Sequence, residues 1–304
     1  MKIKCLLYSL AILLALLPQA RSALVLTEYF SYGASNVAGN SALTPMNGDP
    51  WNSAATTAPT YLGSGTANAN ASFAGSGYAL TASNTTTGSM QVSASDGNTR
   101  GTQRAIGSSL SGEVWVSMMV RMNSGGDAAN EQISMAFNSV GFYQSSNPNG
   151  VGFGIGSNDG TNWRTATISS NGTTVTSVAS DTITASTLSS GFSLMVARLN
   201  VASGNDAIDI WTFANNAAVP TTVTGLGVAT LAASGSDFWG NTISNVYLTT
   251  RGLSGTIDAI RISNSTGNTG LNEVLTTVPE PATWALLAGS LTALMVFRRR
   301  RRSS

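Results

Sequence analysis

Apolar side chains occupy alternate positions from Val114 to Met122, and no other pattern in the chain restricts its fold so tightly. Successive side chains of a β-strand point to opposite sides. Val114, Val116, Met118, Val120 and Met122 therefore share one face, and Trp115, Ser117, Met119 and Arg121 share the other. A strand with one face that apolar needs a second layer to cover it. The pattern predicts one well buried face and one mixed face.

Shorter versions of the same signal recur between residues 23 and 277. Alternating or β-branched and aromatic runs predict strands at Val151 to Ser157, Trp163 to Ser169, Thr173 to Val178, Phe192 to Val201, Ala207 to Phe213, Ile243 to Thr250 and Thr256 to Ile262. Turn formers such as Asn158-Asp159-Gly160, Asn171-Gly172 and Gly204-Asn205 separate them. No helical period is evident in this region. Charged residues make up only 10% of the chain, against a usual figure of about 25%. Many short strands at regular spacing predict an all-β class, with two antiparallel sheets packed as a sandwich over residues 23–264. The polar, small-residue stretch 265–277 reads as a linker out of that domain.

Both ends differ sharply from the middle. Residues 1–22 begin with Lys2 and Lys4, continue through an apolar stretch from Leu6 to Leu17, and close with Pro18 and the small residues Ala20 and Ser22. This is the layout of a secretory signal peptide, an N-terminal signal helix handled by the Sec export machinery, with cleavage expected between Ser22 and Ala23. Cys5 is the single cysteine and would leave with it, so the mature chain would have no disulfide and no thiolate chemistry. At the other end, residues 282–297 form an uncharged, mostly apolar run, preceded by Pro279-Glu280-Pro281 and followed by Arg298, Arg299, Arg300, Arg301 and Arg302. Sixteen residues make about 24 Å of helix. Trp284 at one interface and snorkelling arginine stems at the other would let so short a transmembrane helix span. Arginines beside a membrane segment stay on the cytoplasmic side, which places the domain outside. The signal peptide predicts the same orientation independently.

Charge supports the division. Eight of the 15 basic residues lie in the two ends, so residues 23–277 carry seven arginines and no lysine against 13 acids, a net charge of about −6. Nucleic acid is excluded as an expected partner, because binding it needs clustered cations to replace condensed counterions.

Pro279-Glu280-Pro281, a short apolar helix and a terminal arginine run together resemble the PEP-CTERM sorting signal of Gram-negative bacteria, here residues 278–302. The resemblance implies processing by an exosortase, a membrane protease-transpeptidase. Pro279, Glu280 and Pro281 would be its recognition residues, and Trp284 with Arg298 to Arg302 a temporary membrane retention device. It implies an inner-membrane-anchored precursor, then a product at the cell surface or outside the cell. Prolines at 279 and 281 suit that role, since they hold the peptide extended. Within the domain, Glu28-Tyr29-Phe30-Ser31-Tyr32, Glu113-Val114-Trp115-Val116-Ser117, Leu194 to Leu199, Asp209-Ile210-Trp211 and Ile257-Asp258-Ala259-Ile260-Arg261-Ile262 resemble the concanavalin A-like or laminin G-like jelly roll. The segment Leu43 to Trp51 departs from that pattern. In the closing strand, Asp258 and Arg261 are three apart and so are expected on opposite faces, each with a structural role.

Chemistry of a catalytic kind is hard to assemble from these residues. The chain has no histidine, which removes the commonest general base and zinc ligand. A carboxylate-based glycosidase would need two cooperating acids, and no Glu-x-Asp-x-x-Glu strand occurs. Calcium is the best remaining ligand, with Asp96, Asp127, Asp159, Asp206 and Asp237 in loops and Asp159 and Asp206 the foremost candidates, though none forms a dense Asp-x-Asp motif. Cofactors are otherwise not expected. Among the tryptophans, Trp163 and Trp239 sit beside the turn residues Asn162 and Gly240 and are the expected glycan-stacking positions, while Trp51, Trp115 and Trp211 are expected in the core. The sequence thus predicts a non-catalytic structural or adhesive protein of envelope or exopolysaccharide matrix. A carbohydrate-binding module is the alternative, and a glycosidase the weaker one. Mass spectrometry of the exported protein should find its termini near Ala23 and near Val278; retention of Arg298 to Arg302 in a cytoplasmic product would refute the sorting reading.

Overall fold

The structure, a computed structural model, describes residues 24–28, 37–38, 52–53, 60–62, 89–93, 99–124, 131–138, 151–157, 162–169, 175–180, 192–215, 217–252 and 254–275. In chain order the strands are β1 (Leu24–Glu28), β2 (Val37–Ala38), β3 (Asn52–Ser53), β4 (Thr60–Leu62), β5 (Ser89–Ser93), β6 (Thr99–Leu110), β7 (Gly112–Ser124), β8 (Glu131–Asn138), β9 (Val151–Ser157), β10 (Arg164–Ser169), β11 (Val175–Val178), β12 (Ser193–Val201), β13 (Asn205–Phe213), β14 (Leu231–Ser236), β15 (Ile243–Arg251) and β16 (Ser254–Ser263). Among the described residues two helices join them, α1 (Val223–Leu226) and α2 (Gly267–Leu275).

Among the described residues these strands form two antiparallel sheets. The first, of nine strands, runs β14-β13-β12-β7-β16-β5-β4-β2 with β1 added on β16. The second, of seven, runs β11-β10-β9-β8-β15-β6-β3. Ser111 and Gly112 carry the chain from β6 in one sheet to β7 in the other, and Gly112 adopts φ 73°, a left-handed conformation that glycine enters without steric cost.

The alternation read from 114 to 122 builds the centre of the core. Val114, Val116, Met118, Val120 and Met122 face the second sheet and pack with Ile133, Met135 and Phe137 of β8, Phe153 and Ile155 of β9, and Val246 and Leu248 of β15. Fully burying one such side chain is worth about 1.5–3 kcal/mol. An ion pair lies inside this apolar layer. Glu28 of β1 accepts from Arg104 Nη1 of β6 at 3.0 Å, with side-chain exposures of only 5% and 3%. Leu26 and Ile106, on the same faces of the same strands, also belong to the core.

Two expectations change. Residues 265–277 do not form a linker over their described part, because Gly267–Leu275 is a nine-residue helix whose Leu271, Val274 and Leu275 are buried. Its apolar positions fall at i, i+3 and i+4, one face of a helix, but the stretch is too short and too glycine-rich to announce itself. Asp258 and Arg261 also differ from expectation. Asp258 lies opposite Met119 and Arg261 opposite Ser117, so three steps along β16 match two along β7. This is a β-bulge, with Ala259 at φ 49° and its N–H donating to Asp258 Oδ1 at 2.6 Å. The extra residue brings both side chains to the same face, where each is 1% exposed.

Residues 1–22, expected as a signal helix, and Pro279 to Pro281, Trp284 and Arg298 to Arg302, expected as a sorting segment, lie outside the described residues. None of the described helices is long and apolar enough to cross a membrane. Removing one partner of a buried ion pair is strongly destabilising. Arg104→Met should therefore destabilise the domain by about 3–5 kcal/mol, whereas Glu28→Leu with Arg104→Met should recover most of that loss, as measured by urea unfolding.

Candidate functional site

The outward face of the first sheet is where polar and aromatic chemistry meets. Strand alternation points Glu113, Trp115, Ser117, Met119 and Arg121 of β7 outward, together with Leu194, Val196, Arg198 and Asn200 of β12 and Asp209, Trp211 and Phe213 of β13. One part of this face is covered. Leu271, Val274 and Leu275 of α2 and Leu226 of α1 close over Trp115, Met119, Leu194, Val196 and Trp211 as a second apolar layer. Trp115 and Trp211 stack with centroids 6.0 Å apart and an interplanar angle of 19°, an arrangement worth roughly 0.5–1.5 kcal/mol beyond burial.

Helix α2 is fastened to its seat by directed bonds. Glu113 Oε1 accepts from Trp115 Nε1 at 2.6 Å and from the Gly267 amide at 2.5 Å. A carboxylate at a helix N-terminus is favoured by the partial positive charge there. Towards the other end, Ser117 Oγ donates to the Val274 carbonyl at 2.7 Å. Ser263 Oγ donates to Glu273 at 2.5 Å, and Asn268 accepts from the Val223 amide of α1 at 2.8 Å. The closest approach is at Gly270, where a Cβ would fall on the Ser265 carbonyl and the Trp115 ring. Only glycine lets the helix lie this near the sheet.

Beside the helix N-terminus the face is open. Two cross-strand rows define it: Glu113, Asn200 and Ala207, then Trp115, Arg198 and Asp209. Arg198 Nε and Nη2 donate to Asp209 Oδ2 at 3.1 and 2.6 Å, with side-chain exposures of 35% and 28%. The guanidinium carbon sits 5.9 Å from the Trp115 ring centre, so the cation is held between a carboxylate and an aromatic face. Asn200 is exposed alongside. The result is a strip of oriented donors and acceptors beside an aromatic ring that solvent does not reach. At the opposite end of β7, Arg121 lies 5.2 Å above the Phe192 ring, and burial pulls its guanidinium below its ordinary value without removing its charge at neutral pH.

The predicted site residues fall elsewhere. Trp163 and Trp239 are 5% and 2% exposed and belong to the inter-sheet core, so neither offers a ring to a sugar. Trp239 Nε1 donates to the Val151 carbonyl at 2.8 Å, which satisfies the indole's polar atom inside the protein. Asp206, considered for calcium, is buried and already occupied: Oδ1 accepts from the Ala202 amide at 2.8 Å and Oδ2 from the Trp239 amide at 2.9 Å. Its role is to tie the β12–β13 turn to the loop before β15. Among the described residues no three His, Cys, Asp or Glu side chains gather as metal ligands. Asp96, Asp127 and Asp159 lie outside the described residues, as does Trp51. Asp237 is exposed, in a left-handed conformation at φ 40°, and donates its amide to the Gly204 carbonyl. The Arg198–Asp209 pair and the Glu113 cap went unread, because both depend on which strands are neighbours and on the helix above them.

No protein-family model matches the chain, and no curated protein matches it. Several solved structures are similar to parts of it. One is reported under the description that cell entry of botulinum neurotoxin type C depends on interaction with two ganglioside molecules, at 10% identity and TM-score 0.40, covering 83% of this chain and 50% of that one. Another is a lectin from Bauhinia forficata in complex with GalNAc, at 9% identity and TM-score 0.37, covering 59% and 88%. A third is the carbohydrate recognition domain of Emp46p in metal-free form, at 11% identity and TM-score 0.35, covering 59% and 83%. The chain spans about half the length of the first of these.

Gly270→Ala should overpack the α2 seat at a cost of about 1–3 kcal/mol. Loss of amide-exchange protection over residues 271–275, with the protection of β12 and β13 retained, is the expected signature.

Proposed function

We propose that this chain is an exported, non-catalytic surface or matrix protein, delivered by its two terminal signals and presenting the sandwich outside the cell. The observation that carries the non-catalytic part is how six of its eight described carboxylates are used. Glu28 pairs with Arg104, Glu113 holds Trp115 and α2, Asp206 holds two loop amides, Asp209 holds Arg198, Asp258 caps its own bulge, and Glu273 accepts from Ser263. Acids that brace a fold in this way are poorly placed to act as a general acid and base, which need a reacting group within hydrogen-bond reach. Export and exosortase sorting are supported by the sequence of residues 1–22 and 278–302.

Within that reading, glycan recognition is the molecular role the surface favours. The specific observation is the strip formed by Glu113, Arg198, Asn200 and Asp209. A polyhydroxylated ligand needs several fixed donors and acceptors on a shallow surface. Arg198, locked against Asp209 and Trp115, supplies them with little ordering cost.

The test uses the full-length protein. An epitope inserted in the exposed turn at Ser203 and Gly204 should be detected on intact cells without permeabilisation. Co-sedimentation with the cell's own exopolysaccharide should fall at least about tenfold, or roughly 1.4 kcal/mol, for Arg198→Ala combined with Asp209→Ala. No reducing ends should be released. Undiminished binding by the double variant would remove the strip from consideration.

A further inference from the structure

The docked helix has a geometric consequence for the tail, and it rests on the reading of residues 278–302 as a membrane-held sorting segment. We propose that α2 is a fixed stem that keeps the sandwich seated against the membrane surface before processing, with one defined end of the first sheet facing the lipid head groups.

Direction comes first. Glu113 bonds the start of α2 and Ser117 bonds the Val274 carbonyl near its close, so the helix runs alongside β7 in the same sense. It therefore points towards Met119 and Arg121. Strand register extends this across the sheet: Leu194 lies opposite both Met119 and Phe213. Ala214, the exposed residue after β13, consequently sits at the end of the sheet from which the tail departs. Val201 lies opposite Gly112, so the turn at Ser203 and Gly204 marks the other end. The nine residues of β13 separate the two ends by about 30 Å.

Reach comes second. Leu275 is fully buried in the α2 seat, so the length of the tether is counted from it. Four residues on is Pro279, at most about 14 Å away even if fully extended, and Ala282 is at most about 25 Å away. Part of that length is taken up by the head-group layer, which is roughly 5–7 Å on each side. Prolines at 279 and 281 shorten the path further, to about 3.1 Å per residue where the chain is polyproline-like. A tether this short leaves the sandwich no room to tumble freely. The Ala214 end must stay close to the lipid, while the Ser203 end is held away.

The experiment uses the full-length chain with Cys5→Ser, carrying a single thiol-linked fluorophore at Ala214→Cys or Ser203→Cys, in phosphatidylcholine vesicles containing a head-group spin-labelled lipid as quencher. Quenching should be several-fold stronger for the probe at 214 than for the probe at 203. Inserting about twelve Gly and Ser residues after Leu275 adds a coil of roughly 20 Å without touching the α2 seat, and should abolish the contrast. Equal quenching of the two probes in vesicle-bound protein, or a contrast unchanged by the insertion, would overturn the stem. Failure of the full-length chain to float with vesicles at all would instead overturn the tail reading, and the stem with it.

Discussion

Strand β7 is buried on both faces and paired on both edges, with β12 on one side and β16 on the other. Its inward side chains meet the second sheet, and its outward ones meet α2. Every other layer of the molecule refers to this strand: the inter-sheet core is organised over Val116 and Met118, the outer apolar layer over Trp115 and Met119. Fixing β7 therefore fixes the distance between the two sheets and the position of the C-terminal helix together. A central strand clad on both sides is the situation in which hydrophobic burial contributes most per residue, and every side chain from Val114 to Val120 is buried.

Some of the polar groups inside this arrangement are held by specific partners. Glu28 with Arg104 joins β1 to β6 across the sandwich, and Asp206 binds two amides where a turn meets a loop. Each such group costs desolvation and returns it only with good geometry. Their value is positional: they permit one alignment of the elements they join. The open strip around Arg198 is different, because its ion pair is part-exposed and contributes at most about 1 kcal/mol to stability. Charged groups that stabilise little and yet are held in fixed geometry are the ones available for recognition.

Much of the architecture was legible from alternation alone. Val114 to Met122, the β12–β13 pair around Gly204-Asn205 and the closing strand were all readable, because period two is imposed by strand geometry and survives any tertiary setting. What could not be read depended on partners. The bulge at Ala259 reverses the facing of Arg261, and nothing local to Asp258-Ala259-Ile260 declares it. Strand β14 (Leu-Ala-Ala-Ser-Gly-Ser) lacks the branched residues that mark strands and exists because β13 offers it an edge. Trp163 and Trp239 were expected at the surface from their turn-forming neighbours, but a neighbour's conformation does not say which way an indole points. Helix α2 hid behind Gly267 and Gly270, residues that lower helix propensity yet permit the close contact that makes this helix form.

The way α2 lies along β7 also decides how the molecule would carry a mechanical load. Tension applied at the C-terminus acts nearly along the helix axis, parallel to the strand beneath. The contacts at Glu113, Ser117 and Ser263 are then strained together, as a shear, instead of being peeled apart one after another. The pull is delivered to the innermost strand of a nine-stranded sheet and spreads to both of its neighbours. A load entering by this helix would be borne by the middle of the sheet and not by its rim.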